Sequence, residues 1–591
     1  LPTVTKTWQL LPHDPGAIER LARDLRLAPI VAQLLLNRGV QEADAARRFL
    51  NAPLTDLHAP PVLPGVTEAA ARLHAAARAG RKICVYGDYD VDGITGTAIL
   101  WQALRLAGAT VDFYVPHRLE EGYGLNAEAL RQIARSGASL VVTVDCGIAA
   151  LAEADEARRL GLELIVTDHH EPKERLPDAA VLVHPRLPDA SYPFAGLCGA
   201  GVAFKVAWAL CQLVSGSEKV APRLREFLLD SVALAALGLV ADVMPLAGEN
   251  RVLARHGLAR LQTAPSLGLK ALIDAAGLGA KKQLCAEDVS FKLAPRLNAA
   301  GRLGCARLVV ELLTTTSAQR ALDLARYLEG QNQQRQQLER RILIQAREQL
   351  EANGHDTAPA LVLASPEWHA GIIGIVAGRL ADRYGRPVLM IALAAHAGAD
   401  GAVMGHGSGR SVPGFALHEA LAHCGEQLVS HGGHAAAAGF RIRADNIDTL
   451  RERFCGCVAA RFTGGLPTPR LVLDAEVPLS SMTTGLLRDI DRLEPYGNAN
   501  HRPMFLAGGL EVVGEPKRMG GGDRHLSFRV RQQGATLRAV AFGMGERAEE
   551  LMSAEGRCCL AFTPRLNEWN GFRRVELEVT DLQAGERARL V

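Results

Sequence analysis

The 591 residues contain no apolar run of the ~18 residues needed to span a bilayer; the stretch VALAALGLVADVMPL is broken by Asp242. The first residues, LPTVTKTWQLLPHD, lack the basic-then-apolar layout of a signal peptide, and Leu1 in place of an initiator Met points to a trimmed start. No CxxC pair occurs among the 11 cysteines, whose odd number and scatter (Cys84, Cys146, Cys198, Cys305) fit reduced thiols in a cytoplasmic protein better than a disulfide framework. Net charge is also lacking: Lys+Arg 66 against Asp+Glu 64 leaves +2, so a nucleic-acid partner would need a local basic groove. There is no internal repeat and no low-complexity segment. What is present, 48% hydrophobic and 22% charged residues, is the composition of a soluble globular protein. The length exceeds what one core can serve and suggests roughly four domains of about 150 residues.

Residues 15 to 57 carry short helical segments and are expected to form a helical cap (1–60). From Ile83 a βαβ alternation begins, with strands at 83–86, 110–115, 139–144 and 162–167, helices at 94–107, 126–136 and 149–160, and a fifth strand in AAVLVH. Such alternation implies a parallel sheet covered on both faces. Two buried helices follow, closing an α/β domain over 61–250. Residues 251–355 are expected to be helical and to end in AQRALDLARYLEGQNQQRQQLERRILIQAREQLEAN, a long polar helix of the kind that bridges two bodies. A fresh strand–helix–strand marks a second α/β domain over 356–465. The last region, 466–591, holds five or six short strands from LVLDAEV onward, with a helical insert near Glu546–Ser553, and suggests a small barrel of the OB type.

The chemistry begins at RKICVYGDYDVDGITGTAILW. A short buried strand runs into Asp88, Asp90 and Asp92, and a helix is expected from Ile94. Side chains two apart on extended backbone point the same way, so the three carboxylates can converge, and something cationic is expected between them. The bland alternative is an acidic turn. Later strands repeat the pattern: SLVVTV ends at Asp145-Cys146-Gly147, LELIVT at Asp168-His169-His170, and Asp242 closes an apolar helix. Parallel strands deliver their carboxyl ends to one edge, so Asp90, Asp92, Asp145 and His169 can meet in one crevice. Carboxylates with an imidazole suit Mn²⁺ or Mg²⁺ better than Zn²⁺. Several aspartates with one bridging carboxylate suggest two ions about 4 Å apart.

At GDYDVDG, VDCGI, TDHH, VADVMPL, RLNAAGR and GGHAAAAGF the sequence resembles the DHH phosphoesterase superfamily and, within it, the RecJ single-strand exonucleases. The likeness runs from about residue 60 to the C-terminus. It implies a parallel-sheet DHH catalytic domain, a DHHA1 domain beyond the long helix, and an OB-fold-like barrel that binds single strands. It implies further that Asp90 and Asp145 hold one metal, that Asp92, Asp145, His169 and Asp242 hold the other, and that His170 lies beside the scissile phosphate. One departure is Tyr86, where several superfamily members carry His. A phenol is a poor ligand, so the first site is expected to be weaker or more solvated, with Asp88 or water filling in.

Phosphate needs donors, and arginine offers a planar fork. Arg118 follows the second strand; Arg296, Asn298 and Arg302 lie in RLNAAGR; Ser408 and Arg410 lie in GHGSGRS; His434 lies in GGHAAAAG. For any one of these arginines a surface ion pair is the plain alternative. The resemblance implies that the second-domain loops face the metal site and grip the strand. Trp368 and His369 either pack at the domain face or stack a base, with packing the better reading for Trp368. In the barrel, Arg518, Arg524, His525, Phe528, Arg529, Arg531, Arg565, Trp569, Phe572, Arg573 and Arg574 interleave charge with aromatics, as a single-strand groove does and as a solvated barrel face also does. PYGNANHRPMF differs from the family stretch at Ala499 and His501, and its role stays open.

The expected function is therefore a metal-dependent exonuclease that hydrolyses single-stranded DNA to mononucleotides in repair and recombination, through activation of water by two ions. Its 5′→3′ polarity comes from the resemblance alone. Expected partners are single-stranded DNA, a helicase and a single-strand-binding protein, with no membrane. Two other classes are weighed: a phosphodiesterase of short RNA oligomers or cyclic dinucleotides, against which the region after Leu466 argues, and a non-catalytic DNA-binding scaffold, against which the retained acidic set argues.

Overall fold

Short, mostly apolar strands separated by helices leave the first half of the chain one stable arrangement, a buried parallel sheet. In the computed structural model, which describes residues 6–118, 120–188, 191–263, 265–353, 358–396, 401–553, 555–569 and 572–591, this sheet has five strands. They are β1 (Ile83–Gly87), β2 (Val111–Tyr114), β3 (Leu140–Val144), β4 (Glu163–Thr167) and β5 (Val181–Val183), in the order β2-β1-β3-β4-β5, all parallel. The strand order reverses between β1 and β3, which is where an open α/β sheet opens a crevice at its carboxyl edge.

Helix α1 (Val91–Leu106) follows β1, and α2 (Gly199–Ser215) and α3 (Pro222–Ala241) pack on it. Helix α1 starts three residues before the expected Ile94. Asp90 caps it, its Oδ1 accepting from the Gly93 N–H at 3.0 Å, because an aspartate before a helix satisfies an otherwise unpaired donor. Asp92 thus sits in the first turn, and the three aspartates do not share one extended backbone.

The chain divides into two compact units, residues His58–Met244 with His256–Thr468, and Thr5–Leu57 with Pro245–Arg255 and Pro469–Val591. Within the first unit, α4 (Ala294–Arg302) and the 36-residue α5 (Ala318–Asn353) connect the parallel sheet to a second one. That second sheet comprises β6 (Leu361–Ser365), β7 (Val388–Leu393), β8 (Met404–Arg410), β9 (Leu428–Gly433) and β10 (Ala437–Arg443), in the order β9-β10-β8-β7-β6. Only β6 and β7 are parallel. Helix α6 (Ala370–Tyr384) packs on β7 and β8, and also on α5. Trp368 is buried there, its indole N–H donating to Gln345 of α5 at 3.0 Å, so it packs and does not stack a base.

In the second unit, strands Phe505–Met519, His525–Gln532, Ala535–Ala541, Arg557–Trp569 and Phe572–Ala584 close a five-stranded barrel. Its pairing order, first-second-third-fifth-fourth-first, with a helix at Ala548–Ser553 between third and fourth, is that of an OB fold. LVLDAEV divides: Arg470–Leu473 pairs in parallel with Thr7–Leu10, and Ala475–Glu476 adds in parallel to the edge of the first barrel strand at Phe505 and Leu506. The N-terminal helices, read above as a cap, share one core with the barrel, in which Leu21, Val31, Leu34 and Leu35 join Phe505, Leu526 and Phe562. PYGNANHRPMF ties the two together. The Asn500 amide donates to the carbonyls of Leu493 and Pro495 at 2.8 Å and accepts from Arg38 at 2.7 Å, while Arg251 donates to the carbonyls of Phe49, Leu493 and Glu494. Ala499 holds φ 60° in that loop, a conformation that favours glycine.

Candidate metal centre and strand-binding surface

The carboxyl edge of β1 and β3 collects the acidic residues. Asp88, Asp92 and Asp145 are buried at 1–2% exposure. Asp145 sits just past β3 at φ 64°, a left-handed turn that short polar side chains tolerate. Space for these carboxylates is made by glycines. A Cβ on Gly199 would stand 2.6 Å from the Asp145 carboxylate, and one on Gly238 would overlap Asp92 Oδ1. Asp92 is gripped by the start of α2: the N–H of Gly199 donates to its Oδ2 at 2.6 Å, and that of Ala200 to its Oδ1 at 3.0 Å, an anion at a helix N-terminus. Sequence reasoning missed Gly199, Ala200 and Gly238; the glycine pair in CGAG at a helix start was the available signal.

His169 Nε2 lies 3.0 Å from Asp145 Oδ1, 3.7 Å from Asp242 Oδ2 and 3.8 Å from Asp92 Oδ2. Candidate ligand atoms fall into three groups, each within 4.8 Å: Asp88, Asp90 and Asp145; Asp92, His169 and Asp242; and Asp145, His169 and His170. The structure therefore brings together all five residues expected to hold metal and adds Asp88 beside Asp90. Tyr86 is not at the centre. Its ring stacks on Tyr114 at 5.3 Å and its hydroxyl donates to the Gly124 carbonyl at 2.9 Å. It sits in the hydrophobic core, where burial pushes the phenol pKa far up.

Electrostatics demand a cation here. Burial, then Asp92 and Asp90, hold Asp145 well above the carboxylate range; burial, then Asp90, raises Asp88 likewise. Asp92 is raised to about 6 by burial and Asp90, and Asp242 to about 8 by burial, Asp92 and Asp90. His169 falls to about 3, through burial and the charge of His170, so its ring is neutral. Asp145 Oδ1, His169 Nε2 and Asp88 Oδ1 are buried and make no hydrogen bond among the described residues. Unsatisfied lone pairs of carboxylate and neutral imidazole, converging in one crevice, fit a hard or borderline divalent cation.

Asp168, adjacent to the ligands, has a different task. Its Oδ1 accepts from the His169 N–H at 2.7 Å and from His170 Nδ1 at 2.8 Å, and its Oδ2 from the Ile148 N–H at 2.9 Å. These donors outweigh its burial and hold it at about 2. In return, although burial works the other way, Asp168, then Asp242 and Asp90, raise His170 to about 9. His170 is a third exposed, at the mouth. The Tyr123 hydroxyl donates to the Asp145 carbonyl at 3.2 Å and touches the His170 ring at 3.1 Å. Behind them Arg186 donates to the His169 carbonyl, and His184 Nε2 to that of His170 at 2.8 Å. The Asp168 clamp and Tyr123 went unread in the sequence.

Of the residues expected to hold nucleic acid, Arg118, Arg302 and Arg410 converge, with Ser408 beside the last. Arg118 lies over the Tyr89 ring at 4.8 Å. Gly301 of α4 packs so closely on Tyr89 that a Cβ would stand 2.5 Å from its carbonyl oxygen. Arg302 donates to the Gly371 carbonyl at the start of α6 at 3.0 Å, and is lowered to about 9 by burial and then by the charges of Arg118, Arg410 and Arg335. Ser408 accepts from Arg410 at 3.4 Å, and Gly374 of α6 sits against both. Half-buried, mutually repelling guanidinium groups fit an anion. The others differ. Arg296 is paired with Glu329 of α5 at 2.5 Å, Asn298 is half-buried, and His434 is exposed in the β9–β10 turn. His369 caps α6, its Nδ1 accepting from the Gly371 N–H at 3.1 Å. On the barrel, Phe528 is core, and Arg531, Arg565 and Arg573 are paired with Glu511, Glu578 and Glu568. Arg529 is exposed and has no ion pair among the described residues. The side chains of Trp569 and Phe572 lie outside the described residues.

Models of the DHH family N-terminal domain, the DHHA1 domain and the RecJ OB domain match residues 82–236, 357–460 and 473–581. The single-stranded-DNA-specific exonuclease RecJ of Bacillus subtilis (strain 168) is 37% identical over 98% of this chain and 71% of its own length. The Escherichia coli (strain K12) RecJ is 35% identical over 94% of this chain and 96% of its own length. The chain belongs to the RecJ family. A crystal structure of RecJ from Thermus thermophilus in complex with Mn²⁺ superposes with a TM-score of 0.82 at 34% identity, covering 98% of this chain and 80% of that one. The Mg²⁺ complex of the same RecJ gives 0.77 at 33% identity, covering 98% and 79%. The expected fold class, DHH and DHHA1 domains with an OB barrel, holds. Among the described residues no helix is long and apolar enough to cross a membrane.

Proposed function

We propose that this chain is a metal-dependent exonuclease that hydrolyses single-stranded DNA. The observation that carries the reading is the pair of buried, unbonded atoms Asp145 Oδ1 and His169 Nε2, facing each other at the switch point of a RecJ-family sheet. Asp88, Asp90 and Asp145 would hold one divalent cation, Mn²⁺ or Mg²⁺, and Asp92, Asp145, His169 and Asp242 a second. Such cations supply Lewis-acid stabilisation of phosphoryl charge and lower the pKa of water.

The chain's own residues do the rest. Arg118, Arg302, Ser408 and Arg410 orient the strand end by its phosphates. Asp168 keeps His170 protonated near neutral pH, so its ring can hydrogen-bond a phosphate oxygen or give a proton to the departing oxygen. Asp92 is held by two backbone N–H groups at the start of α2 and needs little reorganisation when the strand arrives. The 5′→3′ direction, mononucleotide products, a role in repair and recombination, a cytoplasmic location, and work alongside a helicase and a single-strand-binding protein are the finer parts of this reading. They rest on the family likeness and, for the location, on eleven free cysteines.

Digestion of end-labelled single strand, duplex and short RNA with Mn²⁺, Mg²⁺ or EDTA tests it. Metal-dependent loss of single strand from one end is expected. Activity in EDTA, or no hydrolysis of long single strands with either metal, would refute it.

A further inference from the structure

The second sheet carries a cationic surface that the end-holding arginines do not use up. Alternation places His406, Ser408 and Arg410 on one face of β8. Register places Arg441 opposite His406 and Gly439 opposite Ser408 on β10, with Ser430 and Gly432 continuing these rows on β9. Over β6 and β7 this face is covered: Val388, Met390 and Ala392, the partners of Arg410, Ser408 and His406, pack with Ile372, Val376 and Leu380 of α6. Over β10 and β9 it is open, and His406, Gly439, Arg441, Ser430 and Gly432 are all exposed. The reverse face, with Phe440 and Ile442, is core.

Charge on this open half-face is of one sign. It carries Arg441 and Arg443 with His406, next to Arg410, and strands β8, β9 and β10 contain no Asp or Glu. Arg441 has no ion pair or side-chain hydrogen bond among the described residues, yet it stands directly across from His406, whose own pKa is lowered by burial and by that charge. Among the described residues no anion balances Arg441, and a bound one would also favour the protonated form of His406. The Arg441 row lies two residues, about 7 Å, along the strands from the Ser408 row. Between and beside them Gly439 and Gly432 leave the backbone bare, so a ligand can come close.

We propose that His406 and Arg441, with Ser430 beside them, form a phosphate subsite for the backbone of a nucleic-acid strand, one step along the open sheet face from Ser408 and Arg410. This rests on the single-strand reading above. The subsite reads backbone and not bases, since its groups are a guanidinium fork, an imidazole and a hydroxyl over a glycine floor.

The test is binding of fluorescent dT₂₀ to the full chain in EDTA, across a salt series, for wild type, Arg441→Ala, Arg441→Glu, Arg441→Lys and, as a distant control, the exposed Arg326→Ala. Arg441→Ala should weaken binding about 5-fold and flatten the salt slope by ~0.7, one released counterion on a single strand. Arg441→Glu should weaken it further, and Arg441→Lys should keep most of it. Affinity and slope unchanged in both Arg441→Ala and Arg441→Glu would overturn the subsite. So would a loss confined to inhibition by dTMP, which would place released product there instead of the strand. A wild type that binds and digests single strands while these variants behave alike refutes only the subsite; a wild type that does neither refutes the function itself.

Discussion

His169 Nε2 and Asp145 Oδ1 stand 3.0 Å apart, both buried, and no hydrogen bond joins them. A neutral imidazole lone pair aimed at a carboxylate lone pair is unfavourable unless a cation lies against both. Asp145 is shared by two of the three ligand groups that hold the centre together, so the relationship has consequences for every neighbour.

Asp145→Ala should remove both cations' common ligand. We expect turnover to fall at least about 10³-fold, Mn²⁺ binding by calorimetry to drop below detection, and single-strand binding in EDTA to persist within a few-fold, because the arginines that grip the strand lie on other elements. Loss of strand binding with cleavage of a dinucleotide retained would contradict this division.

Gly199→Ala and Gly238→Ala add one methyl each against Asp145 and Asp92. Overpacking of this size costs about 1–3 kcal/mol, and here it also displaces a ligand. Metal affinity should fall at least about 10-fold while circular dichroism stays native. Unaltered Mn²⁺ affinity in both variants would show that the cradle is slack.

Asp168→Asn keeps the shape of the clamp and removes its charge. His170 should then titrate well below its present value of about 9, and turnover should fall about 10- to 100-fold, the usual effect of losing a residue that orients a ligand shell. The pH dependence of kcat should lose its alkaline limb near 9 or move it downward. An unchanged profile would remove His170 from the reaction.

Metal-free protein should lose stability as pH rises. Asp242, raised to about 8, and His170, raised to about 9, both have folded pKa values above their unfolded ones. The stability they contribute is present at low pH and is lost as pH climbs through the folded values. His169, lowered to about 3, acts in the opposite sense, but its effect is complete by about pH 6.5, the unfolded value. From about pH 6.5 to 9 in EDTA, Tm should therefore fall by several degrees, and Mn²⁺ should abolish the slope. A Tm that rises over this window would refute the assignment.

Arg302→Ala should weaken single-strand binding about 10-fold and reduce the salt slope, since Arg302 is half-buried among like charges that a bound anion relieves. Fluorescence anisotropy with dT₂₀ checks it.

The parallel sheet was legible because its strands are short, mostly apolar runs that alternate with helical segments. The acidic set was legible because parallel strands must end on one edge. Trp368 was readable as packing from its apolar neighbours. Other features had no local signature. The start of α1 moved because Asp90 is at once a cap and a ligand candidate, and only the second role was read from the alternating aspartates. Arg296 and Arg302 look equivalent in RLNAAGR, yet one meets Glu329 and the other meets other arginines. The N-terminal helices share a core with strands more than 400 residues away, a pairing that periodicity cannot express.

By itself the sequence determined which residue types stand at strand ends, and so the class of metal that suits them, while its motifs, by their resemblance to a known family, implied the kind of substrate; spacing and alternation are one-dimensional properties of the chain. Tertiary structure alone decided that Tyr86 is buried in the core away from the centre, that Asp168 is a clamp for His170, that glycines on two distant helices make room for the carboxylates, and that Arg441 faces His406. Each of these depends on which atoms from separate segments come within a few ångströms, where burial and charge change what a side chain can do.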